Sequence, residues 1–311
     1  MQPSLGFERS LQTLQAVKDY GWTYPSNYLD IYFERVSAEE NISWMQVDAH
    51  CIDSDGLMPM SALGVFVDVG LSNAARATLG QQASLATIAL RLGIRRQPSV
   101  GKLKAVSKVA ANIEDAHIGA AFTKVEVFTE QGDLLASGSA LMGIAPFKNS
   151  LNVEVLPDSP RTFAPWSQCQ SLAQSEGKLV FEAAKQAQHE ANERSVAFIE
   201  QFWGAQPLDS SDGSTINRFH RGEHLANRSG NVHGGILYGL AAKAASTHVP
   251  AGWKVTESSV QYLNAASDDY FDIHTEVLRQ GRNTVVVDCQ VLSNKNKKVL
   301  HSQWTYLKPR D

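Results

Sequence analysis

The chain has 311 residues, of which 43% are hydrophobic and 19% charged, with a formal net charge of -4. This is a globular composition, long enough for one large domain or two ordinary ones around a sizeable core. It excludes a strongly basic nucleic-acid binder, because no Lys/Arg block is sustained and Lys295, Lys297 and Lys298 fit a solvated hairpin turn.

Residues Met1 to Ser10 lack a basic start followed by an apolar run, and no segment reaches the ~18 apolar residues of a membrane helix. A cytoplasmic protein with no membrane partner is expected. Cys51, Cys169 and Cys289 are odd in number and far apart, which fits reduced, buried thiols and gives no metal-ligand spacing.

In chain order, a helix-like segment holds Glu8-Arg9-Ser10 and ends near Tyr20-Gly21, and strand-like runs follow at Tyr28 to Arg35 and Ile42 to Cys51. A turn with Gly56 leads into Ser61 to Leu79, too long and too rich in small residues for a strand, and therefore a buried helix. Ile88, Leu90, Leu92 and Ile94 then alternate with period two, as in a strand. Strands at Leu103 to Val109 and Thr123 to Phe128 follow, and the turn Glu130 to Asp133 precedes a closing strand from Leu135 to Met142.

A linker from Ala145 to Asp209 carries Pro157, Pro160 and Pro165 and a helical stretch, Gly177 to Phe202. Within it, Glu193-Arg194-Ser195 and Trp203-Gly204 echo Glu8-Arg9-Ser10 and Tyr20-Gly21. The pattern then recurs: a weak strand at Thr215 to His220, a turn with Gly230, a buried helix from Gly235 to His248, and strands around Val260, Phe271 to Val277, Val287 to Leu292 and Val299 to Leu307. The expected class is α+β, with a long central helix covering an antiparallel sheet in each of two units. The expected division is 1–148 for the first unit with its leading helix, 149–209 for the linker, and 210–311 for the second unit.

Chemistry concentrates at Asn227, Gly230 and His233-Gly234-Gly235 before the second helix. Counting back 174 positions, Asn227 falls on Asp53, Gly230 on Gly56, His233 on Pro59 and Ala242 on Asp68. One copy keeps His-Gly-Gly, and the other keeps a carboxylate inside its helix. Backbone N–H groups at a helix N-terminus, such as those of Gly234 and Gly235, suit an oxyanion, and glycine lets a ligand approach closely. Asp68, set among Val65, Phe66, Val67 and Val69, is expected to be desolvated, which suits a general base or nucleophile. Asp53-Ser54-Asp55-Gly56 lacks the remaining ligands of a calcium loop, and no Gly-x-Ser-x-Gly elbow is present.

Asn227 with His233-Gly234-Gly235, the run Ser259-Val260-Gln261-Tyr262-Leu263, and Gly281-Arg282 together resemble the hotdog-fold acyl-CoA thioesterases, in the branch related to phenylacetyl-CoA thioesterase. The resemblance covers residues 210 to 308 well, and 28 to 145 only through the internal repeat. It implies a double hotdog with one composite site: Asp68 from the first unit as base or nucleophile, and His233, Gly234 and Asn227 from the second. The converse pairing of Ala242 with Pro59-Met60-Ser61 lacks both parts.

The resemblance also implies a hydroxyl that orients water, which alignment puts at Thr87, and substrate contacts at Gly235. Arg91, Arg95, Arg96 and Lys102 are candidates for the phosphates of coenzyme A because they are basic and near strand ends, with ordinary surface charge as the competing reading. No metal or other cofactor is implied, the partner is an acyl-CoA substrate rather than nucleic acid, and a homodimer is expected. Two other functions stay open: a non-catalytic acyl-CoA-binding double hotdog, and a hotdog hydratase or dehydratase. The acyl group is not determined.

Overall fold

The computed structural model describes residues 4–21, 23–37, 39–80, 84–115, 118–144, 157–211 and 213–309. The first half runs α1 (Leu5–Tyr20), α2 (Tyr24–Tyr28), β1 (Tyr32–Val36), β2 (Asn41–Val47), α3 (Met60–Leu79), β3 (Leu85–Ile94), β4 (Gly101–Asp115), β5 (Ile118–Thr129) and β6 (Leu134–Ile144). The second runs α4 (Gln170–Gln174), α5 (Lys178–Arg194), α6 (Phe198–Phe202), β7 (Gln206–Ser211), β8 (Ser214–His220), α7 (Gly234–Ser246), β9 (Lys254–Tyr262), β10 (Tyr270–Gln280), β11 (Thr284–Ser293) and β12 (Lys298–Leu307). The expected boundary at 148 lies outside the described residues.

Three expectations are corrected by local chemistry. The strand expected from Tyr28 begins only at Tyr32, because Thr23 caps a helical turn with Pro25 in its first positions. The strand expected to reach Cys51 stops at Val47, because the Asp48 carboxylate accepts the Ala49 N–H and starts a 3-10 turn. The single helix expected over Gly177 to Phe202 is two, broken where Ser195 adopts a left-handed φ of 54°.

The twelve strands among the described residues form one sheet in the order β1-β2-β4-β5-β6-β3-β9-β12-β11-β10-β8-β7. The halves join where β3 and β9 pair antiparallel, with Leu90 opposite Val260. The two halves correspond closely. Tyr32 pairs with Trp44 and Gln206 with Arg218, each partner 174 positions on, and the bulge between Phe33 and Arg35 recurs between Pro207 and Asp209. Helices α5 and α6, assigned above to a linker, stand at that same spacing from α1 and α2. Beyond the central helices the spacing becomes 168, with the bulge between Val109 and Ala111 recurring between Val277 and Arg279, and then 164, with the bulge between Val127 and Phe128 recurring between Val291 and Leu292.

Helices α3 and α7 are apolar on nearly every side and pack against each other as well as against the sheet. Small residues permit the approach. A Cβ on Gly239 would lie 2.1 Å from the Ser61 Cα, and one on Gly235 would lie 2.2 Å from the Val65 nitrogen. The N-terminal ends of the two helices are therefore in backbone contact. That contact brings side chains of one half to the helix terminus of the other.

Candidate active site

A turn delivers each helix terminus. Asn227 Oδ1 accepts the N–H groups of Ser229 and Asn231, its own N–H donates to the Asn231 carbonyl, and Gly230 closes the turn at a φ of 74° that favours glycine. Asp53 makes the same bonds to Asp55 and Leu57, with Gly56 also at 74°. Asn227 Oδ1 is therefore engaged in building the turn that leads to His233.

His233 is the N-cap of α7, and its Nδ1 accepts the Gly235 N–H at 3.1 Å. An accepting Nδ1 carries no proton, so the ring is neutral and protonated at Nε2. Burial lowers the ring's pKa, against the raising influence of Asp68 and in concert with Arg76. The 3.7 Å separation between His233 Nδ1 and Asp68 Oδ2 is therefore a contact between a lone pair and a carboxylate, not an ion pair. The Gly235 N–H is occupied by His233 and its Cα by α3, so Gly235 offers a substrate no free donor. The Gly234 N–H, at the first helical position, has no partner among the described residues.

Asp68 comes across from α3 and is 9% exposed. Thr87 Oγ1 donates to Asp68 Oδ1 at 2.6 Å, and Asp68 Oδ2 faces Gly234, where a Cβ would stand 3.3 Å away. A β-bulge between Thr87 and Ala89 sets which face of β3 the hydroxyl takes. The cleft around these groups measures ≈ 380 Å³ and also takes in Arg76, Arg228, Met142 and Tyr262.

Tyr262 is a site residue that the sequence marked only as part of a strand. Its hydroxyl donates to the Gly234 carbonyl at 3.0 Å, and burial, reinforced by Asp68, raises its pKa well above the usual phenol value. The phenol stays protonated and fixes the peptide that follows the Gly234 N–H.

The arginine candidates go elsewhere. Arg95 and Arg96 line a different cleft, beside Pro59 and Ala242, and Arg91 pairs with Glu257 at 2.9 Å over the β3–β9 seam. Lys102 lies 4.5 Å from the Trp44 ring centre. The described residues that bring basic groups to the Asp68 cleft are Arg76 and Arg228, on α3 and in the Asn227 turn. Among the described residues, no group of three or more His, Cys, Asp or Glu could hold a metal ion. Burial raises the pKa of all three thiols, that of Cys51 to about 12.

Residues 225–307 match a family model described as the acyl-CoA thioesterase N-terminal domain. No curated protein sequence matches the chain. A provisionally named oleoyl thioesterase from Lactobacillus plantarum aligns over 88% of this chain and 98% of its own, at 10% identity and a TM-score of 0.57. The tesB protein of Mycobacterium avium subs. paratuberculosis aligns over 96% and 100%, at 10% identity and 0.56. A hot dog fold protein of unknown function from Alicyclobacillus acidocaldarius aligns over 87% and 94%, at 10% identity and 0.51. At such identities these likenesses carry the fold alone, a double hotdog, whose second unit contains the segment matched by the acyl-CoA thioesterase model.

Proposed function

We propose that the chain hydrolyses the thioester of an acyl- or aryl-CoA at one composite site, with Asp68 from the first unit acting on the second unit's helix terminus. The observation that carries this reading is the approach of Asp68 Oδ2 to Gly234, within reach of the unpartnered N–H of that residue. Thr87 donates to Oδ1 and leaves Oδ2 for a water molecule. That division favours Asp68 as base over Asp68 as nucleophile.

In the reaction, Asp68 takes a proton from water as the water oxygen bonds to the thioester carbon. The developing oxyanion accepts the Gly234 N–H, assisted by the positive end of the α7 dipole. Collapse breaks the C–S bond, and the proton held by Asp68 goes to the departing thiolate, giving acid and free thiol. His233 and Tyr262 hold the donor in place from either side of the Gly234 peptide. The phenylacetyl-CoA-like branch, and a pairing of two chains, belong to the same proposal on the strength of the sequence resemblance.

The experiment is thiol release from short, medium, long and aryl acyl-CoAs by the wild type and Asp68→Ala. Removing a general base costs on the order of a hundredfold or more. Thiol release by the wild type and its loss at that scale in the variant is the expected result. Binding without thiol release would instead favour the non-catalytic reading, and hydration of an enoyl-CoA without thiol release the hydratase.

A further inference from the structure

The second cleft, ≈ 410 Å³, lies where the fold repeats the first, between the N-terminus of α3 and the body of α7. Helices correspond at a spacing of 174, the next two strands at 168 and the last two at 164, so the two clefts can be compared residue by residue. Val255 is the counterpart of Thr87, since each sits at a matching bulge, Thr87 opposite Met142 and Val255 opposite Tyr306. With Pro59 for His233 and Ala242 for Asp68, every hydrolytic side chain is replaced by an apolar one.

The remaining changes go the other way. Lys243 stands for Val69, Lys254 for Ala86, Arg95 for Leu263 and Arg96 for Asn264, and all eight residues line their respective clefts. The last two pairs are fixed by matching backbone bonds, since Arg95 and Arg96 both donate to Leu135 as Leu263 and Asn264 donate to Val299.

Not all of these cations are available. Lys243 pairs with Glu200 at 3.0 Å and Arg96 lies 3.9 Å from Asp133, whereas Arg95 and Lys254 have no ion pair among the described residues. Of the acids lining the cleft, Glu200 is held by Lys243 and Ser54, Asp53 by its turn, and Asp55 lies exposed at the edge. Over the described lining as a whole, four cations meet three acids.

Trp203 and Trp253 also line this cleft, whereas no tryptophan among the described residues lines the first. Trp203 is 3% exposed, and its buried Nε1–H has no hydrogen-bond partner among the described residues. A buried donor without a partner is costly unless something else satisfies it.

We propose that the second cleft binds the coenzyme A moiety, free or as an intact thioester, and does not hydrolyse it. Basic groups meet the phosphates, the partly exposed Trp253 indole meets the adenine, and the cleft beside the helices takes the pantetheine arm. The assignment rests on the acyl-CoA reading of the first cleft, because it is the matching scaffold that points to the same ligand. Such a site would let substrate or product concentration act on the enzyme from a place that performs no chemistry.

The test is equilibrium dialysis and tryptophan fluorescence with free coenzyme A and with a non-hydrolysable thioether analogue of an acyl-CoA. The proteins are wild type, Trp253→Phe and the double variant Arg95→Glu/Lys254→Glu, each also assayed for thiol release. Two ligands per wild-type chain are expected. In the double variant the second should weaken at least about tenfold, because two charge-assisted contacts are reversed, while thiol release persists. Quenching should shrink in Trp253→Phe. If only the free form fills the second site the ligand is product, and if the thioether fills it the ligand is substrate.

One ligand per wild-type chain with thiol release intact, or two in the double variant at undiminished affinity, overturns this inference alone. No coenzyme A bound and no thiol released defeats the reading of the first cleft, and this one with it.

Discussion

Replacing Gly239 with Ala sets helix propensity against packing, and the structure decides which wins. Gly→Ala inside a helix gains about 1 kcal/mol from propensity. The new Cβ, however, would stand 2.1 Å from both the Cα and the nitrogen of Ser61, which are backbone atoms that cannot swing aside. To restore a carbon contact of about 3.5 Å, α3 and α7 must separate by roughly 1.5 Å. Overpacking of this kind costs about 1–3 kcal/mol, and more where the backbone cannot yield, so we expect a net loss of about 2 kcal/mol or more.

The same separation widens the approach of Asp68, carried by α3, to Gly234, carried by α7. Thiol release should therefore fall together with the urea midpoint. Gly70→Ala is the control: its Cβ would meet the Ser107 hydroxyl at 2.8 Å, a group that can rotate, and the cost should stay within about 1 kcal/mol. A Gly239→Ala protein as stable as wild type in urea, followed by far-ultraviolet circular dichroism, would refute the reasoning about the helix contact.

Thr87→Val keeps the side-chain shape and installs the residue found at the matching position 255. Losing a hydrogen bond to a charged group is worth about 1.5–3 kcal/mol, so kcat should drop about tenfold or more with KM little changed, and an unchanged kcat would remove Thr87 from the mechanism. Burial lowers the imidazole pKa of His233, of His224 to about 4 and of His50 to about 3, from 6.5. Below pH 6.5 the unfolded chain takes up protons that these folded imidazoles refuse, so stability falls as pH drops, by up to about 1.4 kcal/mol per pH unit for each ring. Urea midpoints that stay flat between pH 7 and 5 would contradict this. Gly230→Ala places a side chain at a φ of 74° with nothing within 4 Å, so only backbone strain is tested. The expected loss is about 1 kcal/mol, and a variant more stable than wild type in the same titration would show that the turn imposes no such strain.

The central helices were legible because their signals are local: Gly56 and Gly230 mark turns, and the long apolar runs after them fit no strand. The cap at His233 and the carboxylate at Asp68 could be singled out for the same reason, each being defined by its neighbours in the chain. The echo of Glu8-Arg9-Ser10 at Glu193-Arg194-Ser195 was misleading. Helices α1 and α5 correspond at 174 positions, where their sequences share little, and only sheet register and recurring bulges reveal it.

By itself the sequence determined the two buried helices, their glycine turns, and which copy keeps the acid and which the His-Gly-Gly. Only the tertiary structure decided which groups share a cleft. It sends Arg95 and Arg96 to the cleft beside Ala242, engages Asn227 Oδ1 in the turn, and brings Tyr262 onto Gly234. The reason is physical: turns and helices follow from contacts a few residues apart, whereas a site shared by two units depends on strand register and on a helix contact between residues far apart in the chain.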